Sequence, residues 1–130
     1  PRLHLLDGQS RMAMAAADAV LLASGTATLE ALLLKKPMLV CYRMSPLSYA
    51  LISRLLKVPY FSLPNLLAGK RLVEELVQEQ VKGTLLADKL RALLSPGAHT
   101  DLIYAHYAGI HQQLRGNASA RAARAVLELL

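Results

Sequence analysis

A glycine between two hydroxyl residues, Ser24-Gly25-Thr26, lies between two short apolar runs at 19–23 and 38–42, and this limits what the chain can fold into. Ala19-Val20-Leu21-Leu22-Ala23 and Met38-Leu39-Val40-Cys41-Tyr42 have the length and continuous apolarity of buried strands. Between them Leu29, Leu32 and Leu33 recur at helical spacing, and Lys35-Lys36-Pro37 supplies the stop. Strand, glycine turn, helix and strand predict a βαβ unit of a parallel sheet.

The turn is where chemistry is expected. Gly25 removes a side chain where the chain bends sharply, so a ligand can approach the backbone closely. A helix beginning there presents unpaired N–H groups and the positive end of its dipole, a seat for phosphate, with Ser24 and Thr26 adding hydroxyls. Glu30 follows Thr26 by four residues, one turn along the same face, where a carboxylate accepts sugar hydroxyls. A plainer reading stands beside this one. Ser24 or Thr26 is then an N-cap and Glu30 a complement to the dipole; Leu29, in the place of the Glu or Gln of a capping box, leaves both readings open.

The remainder continues the alternation and then turns helical. Leu3-His4-Leu5-Leu6 predicts a strand ended by Asp7-Gly8, and residues from Gln9 or Ser10 to Ala17 a short helix. Three such strands make half of a Rossmann-like sheet, with Asp7-Gly8, Ser24-Gly25-Thr26 and Arg43-Met44-Ser45-Pro46 on its carboxyl rim. Residues 46–57 predict a helix with Leu47, Ala50, Leu51, Arg54 and Leu55 on one side, read first as core-packed and second as lying on a membrane surface. Residues 59–65 predict a short strand broken by proline, leaving Asn65 to cap a turn or reach a ligand. Residues 72–79 predict a helix with Glu75 and Gln78 on a solvated flank. Helices are predicted at 84–94, 99–115 and 118–130, divided by Pro96-Gly97 and Gly116-Asn117.

Composition removes several classes. Fifteen Lys and Arg against nine Asp and Glu give a net charge of +6, which favours anionic partners. The basic residues are scattered and only five Tyr and one Phe are present, which argues against nucleic acid. Cys41 is the sole cysteine, so no internal disulfide forms and a cytosolic setting is the default. Asp18, the glycine turn and Glu30 interrupt residues 12–34 too often for a membrane span. His99, His106 and His111 are spaced by seven and five, so no metal pair on one helix face is expected. No Ser-His-Asp order, Walker loop or internal repeat is present. The opening Pro1, with no signal segment, suggests a piece of something larger.

Several runs together resemble a known family. Leu22-Ala23-Ser24-Gly25-Thr26-Ala27-Thr28-Leu29-Glu30, Lys36-Pro37-Met38, Tyr42-Arg43-Met44-Ser45-Pro46, Ser62-Leu63-Pro64-Asn65-Leu66-Leu67-Ala68-Gly69 and His111-Gln112-Gln113-Leu114-Arg115 are similar to the C-terminal part of bacterial lipid-A-disaccharide synthases. The Ser62–Gly69 run argues against a cell-wall N-acetylglucosaminyltransferase or a UDP-sugar epimerase, which share the turn and glutamate. A non-catalytic helical module docking on membranes is the alternative from another class.

The resemblance implies a GT-B glycosyltransferase fold, with a partial nucleotide-sugar-binding Rossmann-like domain over 1–95 and helices over 96–130 packing on it and towards an N-terminal domain outside these residues. It implies transfer of 2,3-diacylglucosamine from UDP to 2,3-diacylglucosamine 1-phosphate with inversion, without metal or other cofactor. Ser24, Gly25 and Thr26 would seat the diphosphate, Glu30 the ribose, and Arg43 phosphate charge. Asn65, Glu75 and Gln78 would flank the nucleotide or donor sugar. The general base is expected in an N-terminal domain outside these residues, so this piece alone should bind rather than turn over. The partners implied are the UDP-sugar donor, the acylated sugar phosphate acceptor and the inner-membrane surface on its cytoplasmic face, with a homodimer as a further expectation.

Overall fold

The computed structural model describes residues 2–55, 59–95 and 97–129, without the side chains of Leu55 and of residues 98–100. The predicted positions of Lys57, Pro96, Leu130 and the His99 side chain therefore lie outside the described residues.

The predicted βαβ unit is present. β1 (Val20–Ala23) leads through α2 (Thr26–Leu33) into β2 (Met38–Tyr42), and α1 (Ser10–Ala16) precedes them. β1 and β2 pair in parallel, Val20 opposite Met38 and Ala23 opposite Cys41. The stop after α2 is a Schellman turn. Lys35, at φ 59°, donates its N–H to the Leu32 carbonyl, and Lys36 donates to the Ala31 carbonyl.

Among the described residues after β2, helices joined by short loops accompany one further strand. α3 (Pro46–Leu55) and α4 (Leu63–Ala68) lead to β3 (Glu74–Val77), and α5 (Gly83–Leu94), α6 (Ala98–Leu114) and α7 (Ala118–Leu127) follow. The sheet order is β1-β2-β3, all parallel. One face carries Val20, Met38 and Val40, packed with Met14 of α1, Ala31 and Leu32 of α2, and Tyr107 and Ile110 of α6. Leu39 and Leu76 are buried toward the opposite face, where Lys89 of α5 meets Glu74 of β3 at 2.7 Å. Coverage on both faces explains why β2 reads as an uninterrupted apolar run. The fold class read from the sequence, a partial Rossmann-like sheet followed by helices, is the observed one.

Four expectations about individual elements need correction. Leu3–Leu6 forms no strand; Leu3 and Leu5 are 98% exposed, because no strand pairs with the segment and no layer covers it. The third strand of the sheet is instead Glu74–Val77, within the stretch predicted as a helix. The open edge of β2 supplies a hydrogen-bonding partner that overrides helical propensity over so short a run. Residues 59–65 form no strand. Ser62 occupies the N-cap of α4 and Pro64 its first turn, where a missing N–H has no cost. Finally, the side of α3 expected to pack into the core is open, with Leu47 83% and Leu51 60% exposed.

Among the described residues no helix is long and apolar enough to cross a membrane.

Candidate binding rim at the carboxyl ends of the strands

Strand register brings three segments to one edge. Ala23, Cys41 and Leu76 lie in one row across β1, β2 and β3. Two residues further along each chain stand Gly25, Arg43 and Gln78. In open parallel sheets this carboxyl edge is where ligands collect.

Gly25 is the N-cap of α2, with φ 135° and ψ −163°, a region that only glycine enters without strain. A Cβ there would meet no atom within 4 Å, so glycine is required by the backbone angle and not by crowding. The cap contributes no side chain. The Gly25 carbonyl instead accepts from the Thr28 N–H at 3.1 Å and the buried Thr28 hydroxyl at 2.7 Å. Among the described residues the N–H groups of Thr26 and Ala27 have no partner, and they sit at the positive end of the helix.

The hydroxyls differ from expectation. Neither Ser24 nor Thr26 caps the helix. Ser24 donates its proton to the Phe61 carbonyl at 2.7 Å, tying the turn to the segment before α4. The Ser24 hydroxyl is therefore unable to donate to a phosphate at the same time. Thr26 is the first residue of α2, exposed at the rim.

Glu30 lies one turn further along α2 and is part of the wall of a cleft of ≈ 320 Å³ formed with residues 8–12. Its carboxylate stands 3.8 Å from the Arg11 guanidinium, with 39% of the Glu30 side chain exposed. Arg11 is a rim residue that sequence reasoning passed over. The available signal was Gly8, at φ 67°, turning the chain into α1 just before it. Arg43 is exposed at the end of β2.

The remaining candidates are brought together, but as a wall. Asn65 is completely buried. Its amide donates to the Val73 carbonyl at 2.9 Å and the Glu75 carboxylate at 2.8 Å. Its oxygen accepts the N–H groups of Leu72 at 2.6 Å and Val73 at 2.8 Å. Both donors and both acceptor sites are thereby filled, so Asn65 does not reach out to a ligand. Glu75, expected on a solvated helix flank, also accepts the N–H groups of Phe61 at 3.1 Å and Ser62 at 2.8 Å and the Ser62 hydroxyl at 2.5 Å. The strand explains the change: alternation turns Glu74 to Lys89 of α5 and Glu75 to the opposite side, under residues 61–65. Gln78 pairs with the backbone of Met44, accepting its N–H at 2.8 Å and donating to its carbonyl at 3.1 Å.

Elsewhere, Lys35 Nζ and His111 Nδ1 stand 2.6 Å apart in a side-chain contact that joins α6 to the end of α2. The Tyr107 hydroxyl is buried without a partner among the described residues. Burial first, and Tyr104 second, push its ionisation well above the usual tyrosine range. Cys41 is a free, half-buried thiol, and among the described residues no cluster of His, Cys, Asp and Glu is arranged to hold a metal ion.

Comparison with known proteins agrees along nearly the whole chain. The family described as Lipid-A-disaccharide synthetase matches residues 2–128. The lipid-A-disaccharide synthase of Haemophilus influenzae strain 86-028NP is 52% identical over 132 residues, covering 98% of this chain and 34% of the relative. Those of Erwinia tasmaniensis and Pseudomonas putida strain GB-1 are 54% identical over 127 residues and 55% over 128, each covering 98% of this chain and 33% of the relative. The chain thus spans about a third of the length of the curated relatives it matches, in their C-terminal part.

Proposed function

This chain belongs to the lipid-A-disaccharide synthetase family, and we propose from that premise that it forms the donor-binding part of an inverting glycosyltransferase. The reaction moves 2,3-diacylglucosamine from UDP to 2,3-diacylglucosamine 1-phosphate and releases UDP. The observation that carries this reading is the pair of unpartnered amides at Thr26 and Ala27, one helical turn from a cleft walled by Glu30.

The chemistry follows from where charge develops. As the bond between the sugar carbon and the diphosphate oxygen breaks, negative charge gathers on the departing UDP. The free amides of α2 and the positive end of its dipole are pre-oriented toward that charge, and Arg43, exposed at the end of β2, supplies a cation beside them. Glu30 accepts the ribose hydroxyls, and the cleft beside it has room for the base. Its pairing with Arg11 loosens as those hydroxyls arrive. Asn65 belongs to the wall and has no direct part in this scheme. The acceptor's hydroxyl proton goes, on this reading, to a base in the part of the relatives that this chain does not match.

The acyl chains of both substrates call for a lipid surface. The open side of α3, with Leu47 and Leu51 outward and Arg54 in its last turn, supports contact with an anionic membrane face, placed by this reading on the cytoplasmic side of the inner membrane.

Titration of the ¹⁵N-labelled chain tests the donor reading. UDP should shift the amides of Gly25, Thr26 and Ala27, and uridine should bind more weakly. Glu30→Ala should lose about 1.5–3 kcal/mol of UDP affinity, the value of hydrogen bonds to a charged group. Equal affinity for UDP and uridine would remove the phosphate assignment. A chimera carrying this chain in place of the matching part of the Haemophilus influenzae relative should form disaccharide and UDP; a folded but inactive chimera would count against the transferase reading.

A further inference from the structure

Gln78 occupies an uncommon backbone position. It is one of two non-glycine residues at positive φ among the described residues, at 54°. Such a conformation costs free energy for a residue with a Cβ and persists only where surrounding contacts compensate. The other, Lys35, has an ordinary explanation in the Schellman turn that ends α2. Gln78 ends no helix. What its backbone achieves is to turn the side-chain amide back across the rim, where it pairs with both the N–H and the carbonyl of Met44. A primary amide that pairs with the N–H and the carbonyl of one residue stands in for a missing strand partner and holds the two peptide planes on either side of that residue's Cα. The first of these planes joins Met44 to Arg43.

Glu75 does the same for the neighbouring loop. Three donors from Phe61 and Ser62 converge on its carboxylate, while the Phe61 carbonyl receives the Ser24 hydroxyl. A continuous set of bonds therefore runs from β3 through residues 61–62 to the glycine turn, and a second runs from β3 to Met44. Both end on the backbone of the rim.

We propose that Glu75 and Gln78 are positioning residues, which hold the rim backbone in the geometry that receives the donor and do not themselves touch it. Gln78 acts through Met44 on the direction of Arg43, and Glu75 acts through Phe61 and Ser24 on the glycine turn. This rests on the donor-site reading above and assigns the two side chains a different role from the direct contact that the family resemblance suggested.

The test uses the ¹⁵N-labelled chain, with UDP as probe and amide hydrogen exchange as a second readout. In Gln78→Ala the Met44 N–H should exchange about tenfold faster, and UDP affinity should fall about tenfold, the scale expected for two lost hydrogen bonds. Gln78→Glu keeps the acceptor for the Met44 N–H and loses the donor to its carbonyl, so it should restore part of both. In an Arg43→Ala background, Gln78→Ala should cause little further loss of affinity, because its effect passes through Arg43. Glu75→Gln should speed exchange at Phe61 and Ser62 and weaken UDP without altering Met44.

The alternatives give different results. If Gln78→Ala weakens UDP equally with Arg43 present or absent, Gln78 touches the donor directly and the proposal fails. If exchange at Met44 rises while UDP affinity stays constant, the pairing is structural only, and the proposal again fails. If the unmutated chain takes up no UDP, the donor-site reading fails first and the positioning role fails with it. Unchanged exchange at Met44 would show that the pairing itself is absent in solution.

Discussion

Asn65→Ala should be among the most destabilising single changes in this chain, although it removes only a small polar group. Asn65 makes four hydrogen bonds, two given and two received, and is 0% exposed. Alanine leaves the Leu72 and Val73 N–H groups without an acceptor and the Val73 carbonyl without this donor. Glu75 retains its three donors from Phe61 and Ser62, so it is the least affected partner. At about 1 kcal/mol net for each bond, and more for a donor left buried, the loss is about 3–5 kcal/mol. Domains of this kind are stable by only about 5–15 kcal/mol, so the variant should sit near or past half-unfolded at modest denaturant. Urea unfolding followed by far-UV circular dichroism measures this directly, the midpoint falling steeply at constant slope.

Asn65→Asp offers an internal control. It keeps both accepted bonds but places a carboxylate where the amide faced the Val73 carbonyl and Glu75. Protonation restores a donor, so the folded state holds that proton more tightly than the unfolded state. The deficit relative to the parent should accordingly narrow as pH falls through the carboxylate range. A loss under about 1 kcal/mol for Asn65→Ala would refute the reasoning, because it would mean that water or local rearrangement satisfies those amides.

Other expectations follow from single features. Gly25→Ala should cost about 1–3 kcal/mol from backbone strain alone, since there is room for the methyl group; thermal melts agreeing with the parent would show that φ at this turn relaxes freely. Tyr107→Phe should be neutral or stabilising by up to about 1 kcal/mol at neutral pH, because the hydroxyl it removes is buried without a partner. Because folding raises that phenol's pKa, the unfolded chain ionises first and stability falls as pH rises beyond about 10; the Phe variant should lose less in alkaline unfolding titrations. Arg54→Glu in the chimera should reduce sedimentation with anionic liposomes at low salt, and an unchanged bound fraction would move the membrane contact away from α3.

What could be read from the amino acids alone was whatever depends on neighbours in the chain. The β1–α2–β2 unit was legible because strand length, glycine and the Lys35-Lys36-Pro37 stop are local signals. The family was legible because several specific runs occur in order. The start of α4 is also written locally, in Ser62 and Pro64, although a proline in this place is equally compatible with a broken strand until the helix is seen.

Residues 72–79 were a different case. Their leucine and valine spacing suits a helix in isolation, and only the open edge of β2 makes a strand the better solution. That decision changes the direction of every side chain after it, since a period of two replaces one of 3.6. It is why Glu75 lies beneath Phe61 and Ser62 and why Gln78 reaches Met44. The partners are separated by 13 to 34 residues, a distance at which no spacing rule operates. Leu3–Leu6 shows the converse: an apolar run specifies a strand only if another strand pairs with it and a layer covers it, and neither condition is contained in the run itself.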